Sequence, residues 1–388
     1  MKFLSKTFIT LLVAMIVLSF STLKAEETKS SPLKISGYIQ AQFQHTSKET
    51  GFKENPYNPA EFVKDRFILR RARLKFKYIK GLMGFVFQTD FTNKGGKIKD
   101  AYIKLSDPWS KVITFKAGVF NRPFYEVEYS SSKRESPERA SVTGVLYHGE
   151  CDLGFGFVIK PKGLFQLDLT AFNNTYETMY KQFLPNFGDY PFYGMIRLKK
   201  NMKFGNHIKM TLGAHTRIGN MSANTKKVIL PESDVTVIDT LKYKVGDGLS
   251  RTWYGVNTQL HFDFLSGIKI AAAYLWGNNV DKPAKDGSAP LRMRNFAGYY
   301  IYFIKNIGKE WQAVVKYDSY DPNTAINDAN ISSKNDLTHS TIGFGIHNYS
   351  FTKFRLSLWY DMVSTQTNGV FKESPVNNVL TFRAQMKF

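Results

Sequence analysis

A single cysteine, Cys151, stands among 388 residues, so no intramolecular disulfide can form. Beyond the first two dozen positions no run approaches 18 apolar side chains, which excludes helical membrane spans. The G-x-S-x-G elbow, the H-E-x-x-H zinc motif, the P-loop and the dinucleotide fingerprint are all missing. Nothing in the residues therefore points to catalysis, a cofactor or a metal. His339 and Ser340 are adjacent, which on a strand turns them to opposite faces. The polar stretch Asp321, Asn323, Asn327, Asp328 departs from EF-hand spacing and reads as a solvated loop. Acidic residues are scarce too: 32 against 53 lysines and arginines, a formal net charge of +21. Such an excess calls for a partner of opposite sign: nucleic acid, anionic lipid or small anions.

What is present narrows that choice. Lys2 and Lys6 precede the apolar run 8–20, and Leu23-Lys24-Ala25 offers a cleavage site before Glu26. This is signal-peptide anatomy, and about 13 apolar residues fall short of the roughly 20 a spanning helix needs. The expected organisation is a signal peptide over 1–25 and one barrel domain over 26–388. Export to an envelope makes nucleic acid the least fitting partner, leaving lipopolysaccharide phosphates and permeating anions.

The mature sequence alternates with period two almost throughout. In 33–44 one face carries Leu33, Ile35, Gly37, Ile39, Ala41 and Phe43; the other carries Lys34, Ser36, Tyr38 and three glutamines. Similar segments lie at 71–79, 83–91, 96–105, 111–120, 151–160, 164–173, 192–200, 208–218, 251–264, 268–276, 293–305, 311–320, 336–347, 354–361 and 376–388. Most run about 9 to 14 residues, the length of a tilted wall-spanning strand. Short and long connections alternate between them, as periplasmic turns and outer loops do. Residues 140–146 also read as a strand. An even count keeps both ends of a barrel on one side, so they join the long connection 121–150 and the count is about 16. A soluble sandwich would have shorter strands, and a propeller would repeat every 40 to 50 residues. The expected class is all-β, a transmembrane antiparallel barrel. Trp109, Tyr190, Phe192, Trp253, Tyr254, Trp276, Trp311, Trp359 and Tyr360 fall near strand ends, where aromatic girdles sit.

Within FILRRARLKFKY (67–78), Arg71, Arg73, Lys75 and Lys77 share one face, about 6.6 Å apart. Charge in mid-membrane is costly, so these four face the lumen. They read either as a ladder of shallow anion sites or as a wall paired with carboxylates such as Asp90 and Asp100. Arg70 falls on the opposite parity, within reach of lipopolysaccharide phosphate. Lys97, Lys99, Lys116, Arg197, Lys199, Lys209, Arg217 and Arg383 are further cations on strands. Tyr38 and Tyr302 are isolated candidates for a sugar-stacking face.

The stretches FILRRARLKFKY, GGKIKDAYIKL and AGVFNRPFYEVEYSSSKRESPER, over about 65–152, together resemble the phosphate-selective porin O and P family. The resemblance implies a 16-stranded homotrimeric porin with an inward-folded constriction loop and cations along an anion path. That loop would be 121–150, with Arg122, Lys133, Arg134 and Arg139 against Glu126, Glu128, Glu135 and Glu138. Its near balance argues for a transverse field that also sorts polar solutes. The ending VNNVLTFRAQMKF resembles the closing strand of outer-membrane barrels, whose terminal aromatic, here Phe388, is read by the barrel assembly machinery. The expected function is a passive, anion-preferring outer-membrane channel for small hydrophilic solutes such as phosphate or polyphosphate. A general or sugar- or peptide-selective pore, and a structural barrel plugged by its loops, are the alternatives.

Overall fold

The structure, a computed structural model, describes residues 31–47, 52–53, 62–92, 95–123, 130–146, 151–173, 192–223, 225–232, 243–264, 267–280, 290–326, 331, 336–367 and 377–388. Sixteen strands form one closed antiparallel barrel. They are β1 (Leu33–Thr46), β2 (Asp65–Lys80), β3 (Met83–Thr92), β4 (Gly95–Ser106), β5 (Ile113–Asn121), β6 (Cys151–Ile159), β7 (Gln166–Phe172) and β8 (Tyr193–Phe204). Then follow β9 (Ile208–Ser222), β10 (Trp253–Phe262), β11 (Ile268–Val280), β12 (Leu291–Ile307), β13 (Trp311–Asp321), β14 (His339–Asn348), β15 (Phe354–Thr365) and β16 (Val379–Lys387). Each pairs with its sequence neighbour, and β16 returns to β1 with Ala41 opposite Ala384. Closure leaves no unpaired edge, which a lipid environment requires. Residues 140–146 are not a strand: Ser141–Leu146 form the one-turn helix α1.

Alternation sets the two faces. Ile35, Ile39, Phe85, Phe87, Ile301 and Phe303 point outward and are exposed, while Gln40, Gln42 and Gln44 point inward and are buried. The outer surface is thus an apolar band, while the inward face of β1 is polar. Tyr254, Trp276 and Tyr274 stack in a row on the outside, with neighbouring centroids 5.8 and 5.4 Å apart. Two expected girdle members depart from this. Trp253 and Trp359 are each 1 % exposed and turn into the barrel. Trp359 lies across the inward faces of Gly343 and Gly345 on β14, where no side chain competes for the space. Tyr190 lies outside the described residues, as do residues 1–25 of the expected signal peptide.

Two bulges alter which residues face inward. On β2, Gln40 pairs with Arg71 but Ala41 pairs with Leu69, so Arg70 is an extra residue. On β4, Gln88 pairs with Asp100 and Thr89 with Ile98, so Lys99 is extra. An extra residue re-aims side chains locally. Arg70 and Arg71 therefore both enter the lumen, as do the buried Lys99 and Asp100. Arg70 does not face the lipid side that simple parity assigned to it.

Phe388 exchanges main-chain hydrogen bonds with Gly37, 3.1 and 3.3 Å. Its ring covers the Gly37 Cα, leaving no room there for a Cβ, and is still half-exposed on the outer face.

Candidate functional site: the constricted lumen

Residues 130–146 of the β5–β6 connection run inside the barrel. Their main chain is held by lumen side chains of several strands. Gln40 Nε2 donates to the Ser131 carbonyl at 3.1 Å, and Gln385 Nε2 to that of Ser132 at 3.2 Å. Arg355 donates to the Arg134 carbonyl and Arg383 to the Pro137 carbonyl, both at 3.1 Å. Hydroxyls add to these: Tyr38 bonds Ser131, and Tyr302 meets Ser136 at 2.7 Å. The two tyrosines read as sugar-stacking candidates thus spend their hydroxyls on the loop. Further along, the Ser141 amide donates to Asp318 at 3.0 Å.

The clamping groups are themselves linked. Gln40 donates to Gln385 Oε1 at 2.6 Å and accepts from Arg71 at 3.1 Å. Arg383 grips Gln42 Oε1 through two nitrogens. Each glutamine thus offers its oxygen to an arginine. The amide nitrogens of Gln40 and Gln385 point to the loop. Sequence reasoning missed Gln40, Gln42, Gln385 and Arg355. The signal that could have found them is the even face of β1, Tyr38-Gln40-Gln42-Gln44, an unbroken neutral polar stripe on a strand beside four cations.

The four expected rungs have different surroundings. Arg71 is buried within that network. Arg73 sits 3.0 Å from Asp90 and Lys75 3.3 Å from Asp100. Lys77 is exposed near the turn end of β2. Two of the four thus have the carboxylate partners that the paired-wall reading named. In the loop, Arg122 and Arg134 are buried, Lys133 is exposed and Arg139 half-buried, whereas Glu126 and Glu128 lie outside the described residues. Glu138 accepts both arms of Arg70, at 2.9 and 2.7 Å. Desolvation works to raise the Glu138 carboxyl, but Arg70, Arg71 and Arg383 outweigh it and hold it well below the ordinary range. Glu135, 3.9 Å from Arg355, is instead pushed up by burial.

Against the β1–β2 wall the loop leaves a cavity of 330 Å³ edged by Arg73, Lys75, Lys387, Tyr38, Ser130 and Ser132. It carries three cations, of which Arg73 and Lys75 are paired with Asp90 and Asp100, and several hydroxyls, a setting that suits a hydrated polar solute or anion. Lys116 lies outside this cavity, over the Tyr102 ring at 5.7 Å from its centre. The far side of the lumen is filled. Ala140, Val142 and Leu146 from around α1 pack with Phe296, Tyr300 and other inward residues of β5, β7, β8, β10–β13 and β15 into one apolar cluster. The passage is therefore displaced to one side of the barrel.

No family model matches the chain, and no curated protein does. Solved structures do. The outer-membrane channel DcaP of Acinetobacter baumannii is 14% identical with a TM-score of 0.60, over 94% of this chain and all of that one. OprB of Pseudomonas putida is 10% identical with a TM-score of 0.61, over 92% of this chain and 94% of that one. An anion-selective porin from Comamonas acidovorans is 10% identical with a TM-score of 0.57, over 92% and 99%. At these identities the likeness is one of fold, and the fold is that of the outer-membrane porin barrels.

Proposed function

We propose that the protein is an outer-membrane porin, a passive channel for small hydrophilic solutes with a preference for anions. The observation that carries this reading is the cavity beside the loop, with Arg73, Lys75 and Lys387 at its edge. An apolar outer band around a closed barrel supplies the membrane setting. Phosphate or polyphosphate fits as the solute because guanidinium and ammonium groups bracket a multivalent oxyanion well. The resemblance to the phosphate-selective porins supports the same solute and a homotrimer; Vibrio cholerae OmpT, of similar fold, has a trimer form. Lipopolysaccharide around the barrel and recognition of Phe388 by the assembly machinery complete the proposal. The apolar cluster on the far side of the lumen favours a second reading, a structural barrel closed by its own loop.

The test is a planar-bilayer measurement of reversal potential across a potassium chloride gradient. A chloride-favouring value, reduced in Lys75→Gln and Lys387→Gln and blocked by added phosphate, is the expected result. Current without ion preference means a general diffusion pore. No current in the wild-type protein means the closed barrel.

A further inference from the structure

A segment of turns and bends inside a barrel, with no strand beside it, has a main-chain problem. Its carbonyls leave bulk water, and buried main-chain groups must find partners. Four carbonyls between Ser131 and Pro137 are met by side chains of β1, β15 and β16, not by another strand. Those side chains are Gln40, Arg355, Arg383 and Gln385, none more than 4 % exposed. Two of them are guanidiniums that face inward with the same parity as the cations of the passage. Their donors are turned to the loop and to glutamine oxygens.

We infer that Gln40, Arg355, Arg383 and Gln385 are positioning residues that hold the constriction by its main-chain carbonyls, fixing the width of the passage. In this arrangement Arg383 is not a rung of the anion path. The inference rests on the channel reading for its consequence, but the clamp itself is a property of the fold. Recognition through carbonyls is indifferent to loop side chains. The wall residues therefore set where the loop lies, and the loop's own serines add less. A charge-assisted bond is roughly twice as strong as a neutral one, so the two arginines make the stronger of the four carbonyl contacts, acting beside the Arg70–Glu138 pair.

The test uses the full-length folded protein with Arg383→Lys and Arg355→Lys, which keep the charge and lose the fork. Amide hydrogen exchange over 130–138 is read beside single-channel conductance and the size cut-off for neutral polymers. The expected result is exchange about ten-fold faster in that segment, the scale of one lost charge-assisted hydrogen bond. Protection of the barrel strands is unchanged, conductance and cut-off rise, and chloride preference is kept. Unchanged exchange over 130–138 overturns the clamp. Normal exchange with a lowered chloride preference would return Arg383 to the anion path. Should a lysine variant fail to fold, Gln385→Met removes one clamp at nearly constant volume and no change of charge. Its expected result is the same loosening around Ser132, and full protection there refutes the inference. A wild-type protein that passes no current overturns the channel reading alone, since exchange still reports the clamp.

Discussion

At the scale of single residues, the charges of the lumen divide by what lies across the sheet. Arg73 and Asp90 are 8% and 5% exposed and 3.0 Å apart. Removing one member of such a pair strands the other, at a cost of about 3–5 kcal/mol. Asp90→Asn is therefore expected to lower thermal stability and raise chloride preference together, because it leaves the Arg73 charge uncancelled beside the cavity. A fall in stability without any gain in chloride preference would place Arg73 outside the permeation path. Lys75 is 36% exposed, so its pair with Asp100 is partly screened and contributes less. The facing of Arg71, Arg73, Lys75 and Lys77 is legible from parity alone. Asp90 and Asp100 were also legible as partners, since both lie on neighbouring strands of the same hairpin series. Arg70 was not, because a bulge interrupts parity and leaves no mark in the residue types.

At the scale of elements, α1 shows what a strand-like pattern can become. Ser141–Leu146 reads SVTGVL, apolar enough for a wall strand, yet it is a single helical turn inside the lumen. An even strand count keeps it out of the wall but leaves its shape open. Its seat is set by Gly298 on β12: a Cβ built there would lie 2.7 Å from Val142. Gly298→Val is expected to push α1 off the strand and cost about 1–3 kcal/mol, the usual range for overpacking. The check is the unfolding midpoint, with amide exchange over 141–146 rising more than in β12 itself. The inward turn of Trp253 and Trp359 has a similar origin. Strand-end position suggested a girdle, but each ring's face follows from its parity, and glycines opposite Trp359 make the interior available.

At the scale of the whole molecule, period-two alternation and loop asymmetry made the barrel and its 16 strands legible, because closure and the two faces are properties of pattern. The uneven filling of the lumen was not legible. It arises from contacts of the loop with residues of β5, β7, β8, β10–β13 and β15, which one strand's pattern does not encode. Acid should reveal how the loop's two carboxylates oppose each other. Glu135 is raised, so its ionised form opposes docking at neutral pH. Protonation as pH falls through its raised value, above the ordinary 4.5, tightens the loop. Glu138 is lowered, so its contribution is complete above 4.5 and is lost only as pH falls through its lowered value. Conductance is expected to drop slightly on mild acidification, then rise in strong acid. Glu138→Gln should bring that rise to neutral pH, and a single monotonic change in the wild type would refute the assignment.

The meeting of β16 with β1 also fixes a sequence of events. Arg383 and Gln385 lie on β16 and Gln40 on β1, so the linked clamp exists only after those two strands have zipped together. An unclosed sheet would hold a loose loop and a wide mouth. The narrow passage would then be a late product of biogenesis, appearing when the cylinder seals. An intermediate stalled before that step would be expected to leak more than the finished protein.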